Sequence, residues 1–157
     1  QVDRSPAVIH FDCASAEPNE SERYLLKLSQ LVPADISTWL IVFLQSCVLA
    51  QNCRSQNVFD RIKSSAKYVT IESGVTCIKQ QTHTNFLYII VSGSISLTSG
   101  DKSSNVGMGH IIGDFASIHG LQSTCSAVSS SKSSLIMVPA HVFCSSTAVG
   151  DSKVLFF

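Results

Sequence analysis

The chain has 157 residues, with 11 Lys and Arg against 11 Asp and Glu, and 45% of its residues are hydrophobic. This length suits one folded domain with a single core. The formal net charge of zero argues against a broad nucleic-acid footprint and against a patch that binds an anionic membrane surface. Charged residues make up only 14% of the chain, so we expect Ser, Thr, Asn and Gln to cover much of the surface.

Six cysteines are scattered through apolar segments. No CxxC occurs and no Cys/His cluster has the spacing of zinc ligands, so the pattern predicts no metal site. A chain of this length can build its core without a disulfide framework. We interpret the cysteines as buried free thiols in a reducing, cytoplasmic compartment. The chain starts at Gln1 without a Met or a visible signal peptide, and we expect an excised fragment of a longer protein.

The first third of the chain is predicted to be helical, after an arm at residues 1–20 with two prolines and little periodicity. In "NESERYLLKLSQLV", Asn19 or Ser21 can cap a helix that is predicted to end at Pro33. A second helix is predicted from Asp35 to Asn52, and its apolar run is too short for an ordinary membrane span. A third is predicted within "SQNVFDRIKSSAKY", whose apolar residues recur at helical spacing.

From Tyr68 onward the pattern changes to short β-branched runs separated by Gly or polar turns. These runs are "KYVTI", "VTCIKQ", "FLYIIVSGSISLT", "SAVSS" and "SLIMVP". Their spacing of about ten residues is typical of an all-β sandwich or barrel. The run "FLYIIV" is apolar without alternation, which predicts a strand that is central or buried on both faces.

The order of glycines in the β part is distinctive. Gly74 precedes a Gln-rich turn, Gly93 follows an apolar strand, and "VGMGHIIGDFASI" places Gly109, Gly113 and Asp114 in order. This order resembles the cyclic nucleotide-binding domain family. That family's pattern runs approximately G-x-x-[IL]-x-x-x-G, [FY]-x-[IL]-x-x-G, G-x-x-[FI]-G-[ED] and R-A-x-[TS]-[VA]. The resemblance covers roughly Val58 to Cys144.

The resemblance implies an α+β, mainly β fold: an eight-stranded, jelly-roll-like β-roll preceded by an N-terminal helical bundle. On this basis residues 1–20 form a flexible arm and residues 21–67 the helical part. Residues 68–144 form the β-roll, and residues 145–157 form a C-terminal tail or the start of a lid helix.

The family's ligand site is a cassette built on a short helix, and the resemblance places it here at Gly113–Val128. Asp114 corresponds to the family's acid, usually Glu, which accepts hydrogen bonds from the ribose 2′-hydroxyl. Gly113 corresponds to the glycine that permits close backbone approach, and Ala116 to the position whose N–H faces the cyclic phosphate. The candidate ligand-binding residues are Gly113, Asp114, Phe115, Ala116, Ser117, Thr124, Cys125 and Ser126.

The cassette departs from the family pattern at one position. Aligned backwards from Val128, "TCSAV" corresponds to "RAATV", which places Thr124 at the family's arginine, with Ser123 as the alternative. That arginine makes a charge-assisted contact with the phosphate, and no Lys or Arg occurs between Lys102 and Lys132. We therefore expect cAMP and cGMP to bind weakly or not at all.

Two other cassette side chains have competing interpretations. Phe115 is interpreted either as a core-facing residue of the cassette helix or as a side chain that fills the pocket. His119 is interpreted as a surface or helix-packing residue, with a ligand contact as the less favoured alternative.

The sequence predicts a regulatory module of a larger signalling protein rather than an enzyme. Alternatives are a pocket for an uncharged nucleoside-like ligand and a ligand-free protein–protein interaction domain. We expect no catalytic residue, metal or cofactor, no nucleic-acid partner and no membrane span; the expected partners are a small nucleotide or nucleoside, other domains of the parent protein, or a second protein. A metal-dependent cupin is disfavoured because "QTHTNF" provides one His and no Glu, and no Gly-x-Ser-x-Gly elbow occurs.

Overall fold

A computed structural model of the chain describes residues 17–46 and 56–145. Most of the predicted arm, the end of the predicted second helix and the tail from residue 146 onward lie outside the described residues.

Most helices lie before or after the β part of the chain, and one short helix lies within it. They are α1 (Glu20–Leu28), α2 (Ala34–Ser46), α3 (Gln56–Ser65), α4 (Asp114–His119) and α5 (His141–Ser145).

The strands of the described residues form two antiparallel sheets. They are β1 (Gln30–Leu31), β2 (Lys67–Ile71), β3 (Thr76–Ile78), β4 (Phe86–Ser92), β5 (Ile95–Ser99), β6 (Lys102–Val106), β7 (Ile111–Ile112), β8 (Ser126–Ser129) and β9 (Ser133–Pro139). One sheet has the order β1-β2-β9-β4-β7 and the other the order β3-β8-β5-β6. The eight strands β2–β9 match the predicted β-roll, and β1 is a short addition from the helical part.

Helix α1 begins at a capping box. The side chain of Asn19 accepts the backbone N–H of Glu22, and the side chain of Glu22 accepts the backbone N–H of Asn19, which satisfies two N–H groups that the helix leaves open. The predicted continuation to Pro33 is wrong, because α1 ends at Leu28. Ser29 is extended and donates both its N–H and its hydroxyl to the carbonyl of Leu26, and the next two residues pair with β2.

The core has two layers on either side of the five-stranded sheet. Between the two sheets lie Leu25, Val69, Ile71, Cys77, Ile78, Tyr88, Ile90, Ile95, Ile112, Ala127, Leu135 and Met137. On the other face, side chains of α2, α3, α4 and α5 pack against β4 and β9. The helices contribute Leu40, Leu44, Ile62, Ile118, Val142 and Phe143 to this layer, and the strands contribute Leu87, Ile89, Ile136 and Val138. Strand side chains alternate between the two layers because neighbouring residues point to opposite faces.

The prediction for "FLYIIV" is confirmed. Strand β4 pairs with β9 on one side and β7 on the other, and its residues Leu87–Ile90 are all buried. Strands β6 and β7 were not predicted. β6 has the sequence KSSNV with four exposed residues, so it lacks the apolar alternation that marks a half-buried strand, and β7 has only two residues.

Candidate functional site

The predicted cassette connects the two sheets. It leaves β7 at the edge of the five-stranded sheet, forms α4, and returns through a loop to β8 in the four-stranded sheet. Gly113 sits at the start of α4 with φ of 78°. A Cβ at this position would lie 2.9 Å from Cδ1 of Ile78 and 3.3 Å from the carbonyl oxygen of Phe86. Both the backbone conformation and the space therefore require glycine here.

The first turn of α4 contains four of the predicted site residues. Asp114 and Ala116 are partly buried. Ser117 is 1% exposed, and its hydroxyl donates to the carbonyl of Gly113 at 2.5 Å. The Ser117 hydroxyl thus bonds the backbone at the start of its own helix. Because Ser117 is buried, it lies on the inner side of the cassette.

Phe115 lies on the surface of the cassette. Its side chain is 62% exposed, so the prediction of a core-facing residue is wrong, while its filling of the pocket stays a prediction. Successive helical residues are roughly 100° apart, and the face of α4 that is buried is the one carrying Ser117 and Ile118. Phe115 instead contacts His119, with ring centroids 4.5 Å apart. This contact agrees with the predicted helix-packing role of His119, which is partly buried.

The loop after α4, residues 121–125, is named the cassette arm below. Gly120 ends the helix in the left-handed conformation with φ of 69°. Ser123 is 5% exposed, and its hydroxyl donates to the carbonyl of Cys125 at 2.7 Å. Thr124 is exposed, and its carbonyl accepts the hydroxyl of Ser99 at 3.0 Å. Of the two residues considered for the arginine position, Ser123 is turned into the loop and Thr124 faces outward.

The loop between β3 and β4, Gln80–Asn85, is hydrogen-bonded to the cassette arm and to the start of β8. The backbone N–H of Gln80 donates to the hydroxyl of Ser126 at 3.0 Å. Gln81 donates its N–H to the carbonyl of Ser123 at 2.8 Å, and Ser123 donates its N–H to the carbonyl of Thr82 at 2.9 Å. In the sequence this segment stands out only as a Gln-rich turn. Its contact with the cassette has no local sequence signal, since the partners lie about forty positions apart.

The cassette carries an acid and no basic side chain of the Lys or Arg type. Its ionisable groups between Gly113 and Val128 are Asp114, His119 and Cys125. Among the described residues, no group of three or more His, Cys, Asp or Glu side chains is placed to hold a metal ion. The arrangement supplies backbone N–H groups, hydroxyls and one carboxylate, which suits hydrogen bonding to a polar ligand more than neutralising an anion.

The two cysteines whose side chains are described are free thiols. Cys77 is buried between the sheets, and burial raises the pKa of its thiol from 9.0 to about 12. Its neighbour Tyr88 is also buried, and burial, with a smaller effect of the Glu22 carboxylate, raises the pKa of the phenol well above 10.0. Cys125, in the cassette arm, is only partly buried, so it is the more accessible of the two thiols.

The family model named cyclic nucleotide-binding domain matches residues 68–148, more than half of the chain. The chain belongs to the cyclic nucleotide-binding domain family. The domain of this family is a regulatory module and is not itself catalytic. The match begins at β2 and includes the whole cassette, in agreement with the resemblance carried by the glycines and Asp114.

Solved structures share the fold at low sequence identity. The regulatory domain of Toxoplasma gondii PKA with cAMP has a TM-score of 0.63 at 19% identity, over 72% of this chain and 45% of that one. The sensor domain of the transcriptional regulator DNR from Pseudomonas aeruginosa has a TM-score of 0.61 at 14% identity, over 73% and 85%. The regulatory subunit of a cAMP-independent protein kinase A from Trypanosoma brucei has a TM-score of 0.59 at 17% identity, over 74% and 42%.

The cyclic nucleotide-binding domain described here spans less than half the length of the two kinase regulatory chains it resembles. No curated protein matches it by sequence at a significant level. Within the described ranges, none of the helices has the length and apolar content needed to cross a bilayer.

Proposed function

We propose that this domain is a regulatory module whose cassette binds cAMP and cGMP weakly or not at all. The observation that carries the proposal is Thr124, an exposed and uncharged residue at the position where the family pattern has arginine. Asp114 carries the only carboxylate of the cassette and is partly buried. Its negative charge repels a phosphate anion when no cation accompanies it.

The expected loss of affinity is large. Removing one partner of a buried, hydrogen-bonded charge pair costs about 2–5 kcal/mol. Each 1.4 kcal/mol corresponds to about tenfold in affinity, so the loss amounts to roughly 30-fold to several-thousand-fold.

An uncharged nucleoside-like ligand is the first alternative. Gly113 keeps the left-handed conformation that brings the backbone close to a ligand. Asp114 keeps an acceptor for the ribose hydroxyls, and a nucleoside brings no phosphate charge for it to repel. The eight predicted site residues all lie in or next to α4, the cassette arm and the start of β8, which supports treating them as one site.

A ligand-free interaction domain is the second alternative. Two large apolar side chains of the cassette, Phe115 and Leu121, are 62% and 48% exposed. Large exposed apolar side chains of the cassette are candidates for burial against a protein partner. We propose that partners are other domains of a longer, intracellular parent protein, in keeping with the buried free thiol of Cys77.

A ligand panel on this chain tests the proposal. Thermal shifts are recorded with cAMP, cGMP, adenosine and guanosine, followed by calorimetry. A ligand present at a hundredfold excess over its Kd stabilises the fold by about 2.7 kcal/mol, which corresponds to roughly 5–10 °C for a chain of this size. We expect no shift with cAMP or cGMP. Micromolar or tighter binding of either nucleotide would overturn the proposal, and a shift with a nucleoside alone would favour the first alternative.

A further inference from the structure

Helix α1 presents a carboxylate that is fully buried. Glu22 is 0% exposed, and its Oε1 accepts the N–H of Asn19 at 3.0 Å and the side-chain amide of Asn85 at 2.9 Å. Its Oε2 accepts the backbone N–H of Asn85 at 2.6 Å. The buried charge is thus compensated by three donors, two of which belong to the Gln80–Asn85 loop.

Two further bonds join the start of α1 to the same loop. The side-chain amide of Asn19 donates to the carbonyl of His83 at 2.9 Å. The side-chain amide of Asn85 donates to the carbonyl of Glu17 at 3.0 Å. Together with the bonds of Glu22, they hold the loop at residues 83 and 85 from the side of α1.

The other side of this loop contacts the cassette arm. The N–H of Gln81 donates to the carbonyl of Ser123 at 2.8 Å, and the N–H of Ser123 donates to the carbonyl of Thr82 at 2.9 Å. His83 forms an antiparallel bridge with Gln122. Thr124, which the sequence pattern aligns with the family's arginine, directly follows Ser123. A continuous set of hydrogen bonds therefore connects α1 to the part of the cassette that departs from the family pattern.

We propose that Asn19 and Glu22 are positioning residues that set the geometry of the cassette arm through the Gln80–Asn85 loop. Burial of Leu25 in the core between the sheets already anchors α1. A buried carboxylate is a costly way to add further anchoring, because an apolar residue of similar size stabilises a core at least as well. A carboxylate with three directed donors fixes orientation, and the elements it orients are α1 and the loop.

The variant Asn19→Ser tests this link with the helix kept intact. Serine caps helices about as well as asparagine, so α1 keeps its first turn, but serine has no amide to donate to His83. Local opening exposes the amides of Gln81 and Ser123 to hydrogen exchange. We expect both to exchange about fivefold faster, the effect of losing one ordinary hydrogen bond, while amides of β9 change by less than about twofold.

Ser29→Ala is the matched control. It removes the bond from the Ser29 hydroxyl to the carbonyl of Leu26, at the opposite end of α1 from Asn19 and Glu22. We expect unchanged exchange at Gln81 and Ser123. Equal exchange rates in Asn19→Ser and wild type at both amides would overturn the proposal. So would an equal acceleration in β9, which would show a loss of global stability instead.

A second readout follows the cassette arm directly. Alkylation at Cys125, mapped by peptide mass spectrometry, should be faster in Asn19→Ser and in Glu22→Gln than in wild type, and unchanged in Ser29→Ala. An unchanged alkylation rate at Cys125 in both Asn19→Ser and Glu22→Gln would contradict the inference. The functional importance of this link rests on the proposed function, in which the cassette is the ligand site. Both experiments are done without ligand, so failure of the nucleotide panel leaves their outcome unaffected.

Discussion

Oε2 of Glu22 lies 2.6 Å from the backbone nitrogen of Asn85. The two residues are 63 positions apart, and the bond joins the first helix to the residue that precedes β4. Because the Glu22 side chain is fully buried, its carboxylate depends on these protein donors rather than on water.

Glu22→Gln should reduce the free energy of unfolding by about 1–3 kcal/mol. The substitution keeps the shape but replaces one acceptor oxygen with an NH₂ group that faces a donor, which leaves a buried N–H unsatisfied. Urea denaturation measures the change. Glu20→Gln is the matched control, an exposed acid in the same first turn, and it should cost less than about 1 kcal/mol. Equal losses in the two variants would contradict the role assigned to Glu22.

Gly93→Ala and Gly74→Ala form a pair that separates backbone strain from steric overlap. Both residues have φ near 90°, so alanine pays a similar conformational cost of roughly 1–2 kcal/mol at each. A Cβ at Gly93 would lie 2.5 Å from the carbonyl oxygen of Lys132, whereas nothing lies within 4 Å of one at Gly74. We expect Gly93→Ala to lose about 4 kcal/mol or more, or to fail to fold. Similar denaturation midpoints for the two variants would refute the close approach at Gly93.

Phe115→Ala should change stability by less than about 1 kcal/mol, because most of the Phe115 side chain is already exposed to water. Ile118→Ala, in the same short helix, removes a side chain that is 6% exposed and should cost about 2–5 kcal/mol. Thermal or urea denaturation of the two variants measures the difference. A larger loss for Phe115→Ala would return that residue to the core, as the sequence alone predicted.

Stability should fall as pH rises above 9. Below pH 9.0 Cys77 is protonated in both the folded and the unfolded chain; above it the unfolded chain releases the proton, while the folded chain holds it until about pH 12. The free energy of unfolding therefore decreases by up to about 1.4 kcal/mol per pH unit from this group. Tyr88, whose pKa is also raised by burial, adds to the fall above pH 10.

Cys77→Ala isolates the part of this pH dependence that belongs to Cys77. Urea unfolding is measured at pH 7, where both states hold this proton, and at pH 9 and 10, where only the unfolded chain releases it. The variant should have a shallower decline between pH 9 and pH 10 than the wild type. Parallel declines would mean that other groups cause the effect.

Thr124→Arg should raise the affinity for cAMP by about 10- to 100-fold. A hydrogen bond to a charged group contributes about 1.5–3 kcal/mol, and 1.4 kcal/mol corresponds to tenfold. Calorimetry of wild type and variant gives the ratio. Gln122→Arg, an exposed residue two positions earlier, controls for added charge and should bind no better than wild type. No gain with Thr124→Arg would indicate that the cassette lacks more than its cation.

The β part of the fold was largely predictable because its signals are local. The runs "KYVTI" and "SLIMVP" coincide with β2 and β9 to within a residue, and β-branched residues between turns indicate strands wherever their partners lie. The polar strand β6 was not predicted because four of its five residues are exposed and lack apolar alternation. The end of α1 was predicted wrongly because the pairing of Gln30 with Tyr68 overrides the helical pattern.

The candidate site divides in the same way. Gly113 and Asp114 stand out in the sequence, since a left-handed turn before a short helix needs glycine. Alignment backwards from Val128 favoured Thr124 for the arginine position and left Ser123 as the alternative. The fold distinguishes them, because the Ser123 hydroxyl bonds within the cassette arm while Thr124 is exposed.

The order of apolar runs and glycines was enough to determine the family and the β-roll, because periodicity and left-handed turns depend on each residue and its near neighbours. Tertiary structure alone decided that Phe115 faces solvent and that Glu22 reaches Asn85. Both depend on how α4 and α1 pack against segments far away in the chain. Burial and buried hydrogen bonds are properties of such packed pairs, and no stretch of sequence contains both partners.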